Sequence, residues 1–468
     1  MNSMNSEMVL TRTLAGEKYT PLGLAGKLNS RVILESSSLS RGRERYSLLL
    51  VMEAFQVWQE GEMVILRKGA ERRVMEGRDI LDVLAVIASR NEGFKTDFPF
   101  PAGGIGFLSF EFASFCDSFG FPNRSDPLGL PLAAFIFGHV YVVFDHYTDQ
   151  IHLIGINYEG EEELNLRKAL DDVEAKIGDL NFNYMMEKPV EYPAIIASSV
   201  QESEDYKEAV SKVRQEIIRG NLLQAVPSRR LEIATQTSAF DIYRTLRSSN
   251  PSPYQFYLDF GFWQLFGASP EMHVKVRDGR VTLRPIAGTR RRGKNEAEDR
   301  ALAAELAADE KEKAEHLMLV DLGRNDLGRI CKVGTVEVSK KMVIEKYSKV
   351  MHLVSQVEGN LVEDKNAIDA IRATFPAGTV SGAPKIQAVK TIARLEKMPR
   401  GFYAGLVGYL ESRESLDTCI TIRSALKKEN RLFLQAGGGV VYDSNPNREL
   451  EETNEKLRAI AAAVGVEI

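Results

Sequence analysis

Cysteine is scarce in this chain. The 468 residues hold three, Cys116, Cys331 and Cys419, too widely spaced for a disulfide framework or a metal knuckle. A reducing cytoplasm is the compartment that fits them. Histidine is also rare: there are six, none paired at ligand spacing, which argues against zinc. Charge of one sign is missing too. Sixty basic and 65 acidic residues are spread along the chain for a net charge of -5, so no nucleic-acid partner is expected. No apolar run reaches the ~20 residues of a spanning helix. The most apolar stretch, 130–144, is interrupted by Pro131, Gly138 and His139 and reads as a core strand, so no membrane partner is expected. The N-terminal MNSMNSEMVLTRTL lacks the basic segment and apolar core of a signal peptide. No internal repeat or low-complexity tract is visible.

What is present is ordinary globular composition, 44% hydrophobic and 27% charged, with length enough for two or three domains. Strand-like runs fill the N-terminal part: RYSLLLVMEAFQVWQ, EMVILRK, AAFIFGHVYVVFDH and QIHLIGI. A helical pattern at 164–177 follows. Residues 178–203 are polar and carry Pro189 and Pro193, the best linker, which divides the chain into 1–190 and 191–468. Beyond it the spacing predicts a helix over 203–218, with Val210, Val213 and Ile217 on one face. Strands are expected near 254–258, 265–266, 281–283, 336–338 and 350–358, and a charged, Ala-rich helical region over 296–322. The strands do not alternate regularly with helices. An α+β class with largely antiparallel sheets is therefore expected, not a doubly wound parallel sheet.

Four constellations could carry chemistry. In DEKEKAEHLMLVDLGRND, Asp309 can cap a helix with Glu312 at the third position, and Glu315 lies one turn further on the same face. In DSNPNRELEETNEKLRAI, Asn445 can cap, Pro446 suits the first helical position, and Leu450, Thr453, Leu457 and Ile460 make an inward stripe. Glu449 and Glu452 form a second pair there, with Lys456 one turn on. Taken alone, each pair is more simply a solvated charged face. Two pairs converging could instead hold one hard cation with oxygen ligands, such as magnesium. The loop FPAGTVSGAPK, 375–385, could cradle a carboxylate through backbone N–H groups or be only a tight turn; it lacks P-loop spacing. Finally, Glu271 follows a Ser-Pro turn in GASPE, and LRPIAGTRRRG sets four arginines around Gly288-Thr289.

Together these stretches resemble the chorismate-utilising enzymes, and among them the anthranilate synthase component I family. The ordered match runs through GNLLQAVPSRR (from Gly220), NPSPYQFYL, FGASPE, PIAGTR, EKAEHLMLVDLGRNDLGR, HLVSQVEG, FPAGTVSGAPK, RGFYAGLVGYL, DTCITIR, QAGGGVV and the closing helix. It spans about Tyr206 to Val464. The N-terminal part matches more loosely, at LESSSLSRGRERYS (from Leu34) and GGIGFLSFEF (from Gly103), where Phe110-Glu111 replaces the family's usual Tyr-Asp. The resemblance implies a large two-layer, mostly antiparallel β-sandwich with helices packed outside. It implies a regulatory and scaffolding N-terminal region and a chorismate-binding catalytic region.

It also implies roles. Glu315 and Glu452, with Glu312 and Glu449 beside them, are expected to hold Mg2+, which would hold the ring carboxylate of chorismate. Lys456, Arg423, Tyr403 and the Gly382-Ala383 backbone are expected to grip substrate carboxylates. Gly288, Thr289, Gly437, Gly438 and Gly439 are expected to contact substrate. Glu271 resembles the general acid that protonates the departing C4 hydroxyl, and His352 the histidine of pyruvate loss. Thr379 lies in the loop that faces the substrate. Leu34, Glu35, Ser36, Pro253, Tyr254, Gln255 and Phe256 resemble a tryptophan feedback site, with Gln255 where many relatives have Met.

Two positions discriminate within the family. Relatives that add water to chorismate carry a lysine base where this chain has Gln224, and an amide cannot deprotonate water at neutral pH. Ammonia needs no such activation. Aminodeoxychorismate synthases typically carry a nucleophilic lysine in PIKGT, and here the motif is PIAGT, with Ala287. Anthranilate formation with ammonia as nucleophile is expected. None of the three cysteines sits in a Gly-rich elbow, so a separate glutamine amidotransferase partner is expected. The competing expectations are an aminodeoxychorismate synthase lacking the lysine, an inactive chorismate or tryptophan sensor, and a carboxylate-metal hydrolase.

Overall fold

The computed structural model describes residues 8–468 except 39–41, 91–93, 95, 125, 162, 180–191, 199 and 348–349. Every strand pairing in it is antiparallel, and the architecture is the expected one of sheets with helices outside. Two long strands, Tyr46–Glu60 and Ala133–Asp145, build both layers. Tyr46 faces Asp145 and Gln59 faces Ala133, so they pair along their whole length. The first half of Tyr46–Glu60 also pairs with Val32–Glu35, and its second half with Met63–Lys68. The second half of Ala133–Asp145 pairs with Gln150–Ile156, and its first half with Ile105–Leu108. Register shifts between Leu50 and Phe55 mark bulges, which bend and twist a strand pair so that each half enters a different layer. Gly138 sits opposite this bend. A Cβ there would lie 2.8 Å from Leu50 Cγ.

The first layer continues outward from Val32–Glu35 through Tyr254–Asp259, Gln264–Ser269, Ser424–Lys428, Arg431–Gly437, Ser228–Thr235 and Ala194–Ile196. The second runs from Ile105–Leu108 through Leu406–Ser412, Ser415–Ile420, Met272–Arg277, Arg280–Leu283, Val350–Asn360 and Glu337–Lys346. Successive side chains of a strand point to opposite faces, and that parity divides the core. Leu48, Leu50, Tyr141 and Val143 enter the larger apolar cluster, with Phe107, Phe137, Trp58 and Trp263. Leu49, Val140, Val142 and Phe144 enter a second cluster under the helices Leu166–Gly178, Ala239–Ser249 and Pro446–Ala462.

Local chemistry sets the helix ends. Asn445 accepts from the backbone N–H groups of Asn447 and Arg448, and Pro446 opens the helix Pro446–Ala462 as expected. Thr453, Leu457 and Ile460 are buried along its stripe, with Leu450 partly so. The single helical region expected at 296–322 is two helices, Glu296–Ala308 and Glu310–Gly328. Asp309 breaks it: its extended backbone ends the first helix, and its carboxylate accepts from Lys311 and Glu312 to start the second. The linker also differs from expectation. Ala194–Ile196 is a strand on Ile233–Thr235, and the next helix begins at Val200. The boundary at 190 falls on residues outside those described, while Val32–Glu35 and Ile105–Leu108 hydrogen-bond to strands from beyond it.

Candidate active site

The strand ends on one side of the molecule enclose a cavity of about 180 Å3. Glu271, Ala287, Thr289, His352, Thr379, Tyr403, Arg423, Gly437, Gly439 and Lys456 all line it. These residues come from eight distant stretches of chain, and the fold brings them together.

Glu271 follows the strand Gln264–Ser269, and its carbonyl accepts from Ile420 N–H at 3.0 Å. Burial pushes its carboxyl up to about 8, against the opposing pull of the Thr379 hydroxyl, the Ile286 N–H, and the Lys456 and Arg423 cations. Such a group holds its proton at neutral pH and can donate it. Thr379 Oγ1, beside it, is buried without a well-formed hydrogen bond among the described residues. Burial pushes His352 down to about 4, so its imidazole is neutral. Its Nδ1 lies 3.1 Å from Gly288 O and 3.0 Å from Thr289 Oγ1. A carbonyl only accepts, so Nδ1 carries the proton and Nε2 keeps its lone pair.

The cations are placed by backbone geometry. Arg423 has a φ of 50° at the start of the strand Ser424–Lys428, and its guanidinium meets no acceptor among the described residues. Lys456 Nζ donates to Gly437 O at 2.7 Å and pairs with Glu452 at 2.6 Å. Tyr403 is buried; a Cβ on Gly437 would lie 3.0 Å from its hydroxyl. The strand Gln224–Ala225 pairs with Gly382–Ala383. Gly382 has a φ of 125°, and a Cβ there would lie 2.2 Å from Gln224 O, so only glycine fits. Gln224 borders the cavity at Gly439, whose Cβ would lie 2.8 Å from Nε2.

The four glutamates face one region at the cavity's edge. Burial raises Glu315 to about 6, and the charges of Glu312, Glu449 and Glu452 push the same way. Glu449 Oε2 is buried with no partner among the described residues, and a Cβ on Gly438 would lie 2.6 Å from it. Glu312 is partly neutralised by Arg290 at 3.2 Å, and Glu452 by Lys456. No three carboxylates, histidines or cysteines close on a common point among the described residues. Crowded like charges and an orphaned carboxylate oxygen are nevertheless what a hard cation relieves.

The residues expected to form a feedback site lie elsewhere. Leu34, Glu35, Ser36, Pro253, Tyr254, Gln255 and Phe256 all line a second, larger cavity of about 730 Å3 between the layers. Glu35 is held by Arg247 and by Tyr243 Oη at 3.2 Å. Gln255 donates to Arg247 O at 3.0 Å and accepts from Ser37 Oγ at 3.2 Å.

Several contributors escaped the sequence reading. Gln435 lines the substrate-sized cavity. The period-two spacing to Gly437 on the same strand was a signal that could have found it. Phe110-Glu111, the departure from the family pattern, has a clear task. Glu111 accepts from the N–H groups of Arg400 at 2.7 Å and Gly401 at 3.0 Å, and the Arg400 guanidinium lies 4.4 Å over the Phe110 ring. That fixes the turn leading into Tyr403.

A two-layer antiparallel fold with this cavity belongs to the chorismate binding enzymes, and the chain is a member of that family, whose profile matches residues 42–462. Anthranilate synthase component 1 of Spirochaeta aurantia is 58% identical over 461 residues, covering 98% of this chain and 95% of that protein. That of Pseudomonas putida is 39% identical over 463 residues, covering 96% and 93%. The crystal structure of anthranilate synthase component I from Streptococcus pneumoniae TIGR4 matches with a TM-score of 0.81 at 37% identity, covering 89% of this chain and 92% of that one.

Proposed function

We propose that this chain is the component I subunit of an anthranilate synthase, converting chorismate and ammonia to anthranilate and pyruvate. The observation that carries the reading is the cavity's inventory. It pairs a protonated carboxyl, Glu271, with a neutral imidazole, His352, and with cations for carboxylates, while Ala287 and Gln224 supply neither nucleophile nor base.

Ammonia attacks C2 of the ring, the double bond shifts, and the C4 hydroxyl leaves as water with the proton from Glu271. The resulting carboxylate can take a proton from the added ammonium. A positioned acid of this kind is typically worth ~10²–10⁴-fold. In the second step the C2 proton is lost, the C3–O bond breaks, and enolpyruvate leaves to become pyruvate as the ring aromatises. His352 Nε2, with its lone pair available, serves that elimination. Arg423, with no protein acceptor among the described residues, and Lys456 bind the substrate carboxylates, with Tyr403 and Thr289 lining the same pocket. Gly288 and the Gly382-Ala383 backbone, which do not line it, serve from beside it.

Glu315 and Glu452, with Glu312 and Glu449 beside them, would hold Mg2+, which would supply charge neutralisation for the ring carboxylate. An amidotransferase partner supplies ammonia. Burial raises Cys116 to about 12, Cys331 to about 11 and Cys419 higher still, so none offers the thiolate that glutamine hydrolysis needs. Tryptophan occupies the larger cavity and inhibits. We assign 1–190 to regulation and scaffold and 191–468 to catalysis. Free thiols fit the cytoplasm, and no described helix is long and apolar enough to cross a membrane.

Incubation with chorismate, magnesium and an ammonium salt tests the reading. Fluorescent anthranilate with one pyruvate is expected. A product that keeps its enolpyruvyl group would make the chain an aminodeoxychorismate synthase, and untouched chorismate would end the proposal.

A further inference from the structure

The two cavities are separated by a wall to which two residues outside the motifs, Glu345 and Tyr347, contribute. Arg284, Glu345 and Tyr347 line the larger cavity, and His352 lines the smaller. Glu345 lies directly opposite His352 in the pairing of Glu337–Lys346 with Val350–Asn360. Just beyond it, the Tyr347 N–H donates to Val350 O at 2.8 Å, and the Tyr347 ring meets the His352 ring edge-on at a centroid distance of 5.4 Å. The Tyr347 hydroxyl donates to Glu345 Oε2 at 3.1 Å, while Glu345 Oε1 takes the Arg284 Nη2. Arg284 Nε is buried with no partner among the described residues. Two residues on, Ile286 turns its N–H toward Glu271.

Each link has a physical consequence. Gly288 O and Thr289 Oγ1 hold one edge of the imidazole, but a ring held at one edge can still rock. An edge-on aromatic neighbour limits that rocking. Tyr347 is held in turn by a charge-assisted hydrogen bond to Glu345. Arg284 is the element with two alternatives. Its guanidinium can stay on Glu345, or it can turn its unpaired donor to a carboxylate in the larger cavity, leaving Glu345 and Tyr347 less firmly held.

We propose that Tyr347 is a positioning residue for His352, and that Arg284, Glu345 and Tyr347 carry the occupancy of the larger cavity by a carboxylate-bearing ligand to the imidazole. This rests on the reading that tryptophan fills that cavity and that His352 serves pyruvate elimination. The ligand's carboxylate competes with Glu345 for Arg284, and the disturbance reaches a catalytic ring through Glu345 and Tyr347. A coupling of this kind is typically worth about 5–150-fold in affinity or activity.

The test uses the full chain with Tyr347→Leu, Tyr347→Phe and Glu345→Gln, assayed with chorismate, magnesium and ammonium chloride. Tryptophan binding is measured separately by calorimetry. Tyr347→Leu removes the ring, and it is expected to release about tenfold more of the amino intermediate than the wild type with little change in chorismate KM. Clean anthranilate from Tyr347→Leu overturns the positioning role. Tyr347→Phe and Glu345→Gln break the same hydrogen bond from its two ends. Both are expected to bind tryptophan but to keep about fivefold more activity than the wild type at saturating tryptophan. Bound tryptophan with wild-type inhibition in both variants overturns the coupling. A wild type that binds no tryptophan overturns the feedback reading and the coupling together, and the product of Tyr347→Leu still decides the positioning role.

Discussion

Glu271 illustrates how burial sets chemistry at the scale of one residue. Its carboxyl is held at about 8, well above the usual 4.5, because the site withdraws it from water more strongly than Arg423 and Lys456 favour its charge. The proton-donating form is therefore present below about pH 8 and lost above it. We expect kcat/KM to fall with unit slope above that point; a profile level to pH 10 would remove Glu271 as the acid. The same shift has a stability sign. A carboxyl whose folded value lies above its unfolded one favours the fold at low pH, and that contribution disappears as pH rises through the folded value. Glu271→Gln never ionises. It should abolish turnover yet melt at a higher temperature than the wild type at pH 9, with the gap already opening by pH 6 and closing below the unfolded value of 4.5, as calorimetry would show. None of this was legible in FGASPE, where an acid after a Ser-Pro turn is indistinguishable from a surface residue. The pKa depends on burial by the folded chain and on the opposing charges of Arg423 and Lys456, the latter 185 residues away.

At the scale of elements, short turns aim the catalytic groups. The turn before Tyr403 depends on Glu111, whose two carboxylate oxygens each take a backbone N–H, although burial raises that carboxyl to about 7. Glu111→Ala would leave both N–H groups buried and unpaired, at about 1–3 kcal/mol each. We expect a lower urea midpoint and a raised chorismate KM, with Glu111→Gln intermediate because its amide keeps one acceptor. Equal midpoints for wild type and Glu111→Ala would show the turn to be held by other contacts. Helix ends were readable at this scale because capping is local: Asn445 and Asp309 cap as their neighbours imply. The break at Asp309 was harder to read, since the same residue closes one helix and opens the next. The strand Glu337–Lys346 extends well beyond the expected 336–338, because its polar residues SKK carry no apolar signal and the strand is set by its pairing with Val350–Asn360.

At the scale of the molecule, the two long strands passing through both layers tie the N-terminal part to the catalytic part. Arg372 strengthens the tie, reaching the buried Asp79 at 2.7 Å. The proposed division of roles between 1–190 and 191–468 thus has to operate within one continuous hydrogen-bonded network. The proposed activity also requires a second protein. The isolated chain is expected to make anthranilate from ammonium salts but none from glutamine, and to gain glutamine-dependent turnover when an amidotransferase subunit is added. Glutamine-dependent product from the purified chain alone would contradict the assignment of its three thiols as inert.

Residue identity and order by themselves determined the class of chemistry. Ala287 and Gln224 lack the groups that other reactions require, and no folding can supply an amine to alanine. They also determined which residues could serve, through motifs that survive without coordinates. Only the tertiary structure decided that Glu312, Glu449 and the half-exposed Glu452 come close enough for their charges to push up the carboxyl of Glu315. On sequence alone each pair was more simply a solvated face, because spacing of three residues describes one helix and says nothing of a second. The coupling of Arg284, Glu345 and Tyr347 to His352 was likewise invisible. It arises from cross-strand register and from two cavities sharing a wall, and both are properties of strands that meet only when the chain has folded.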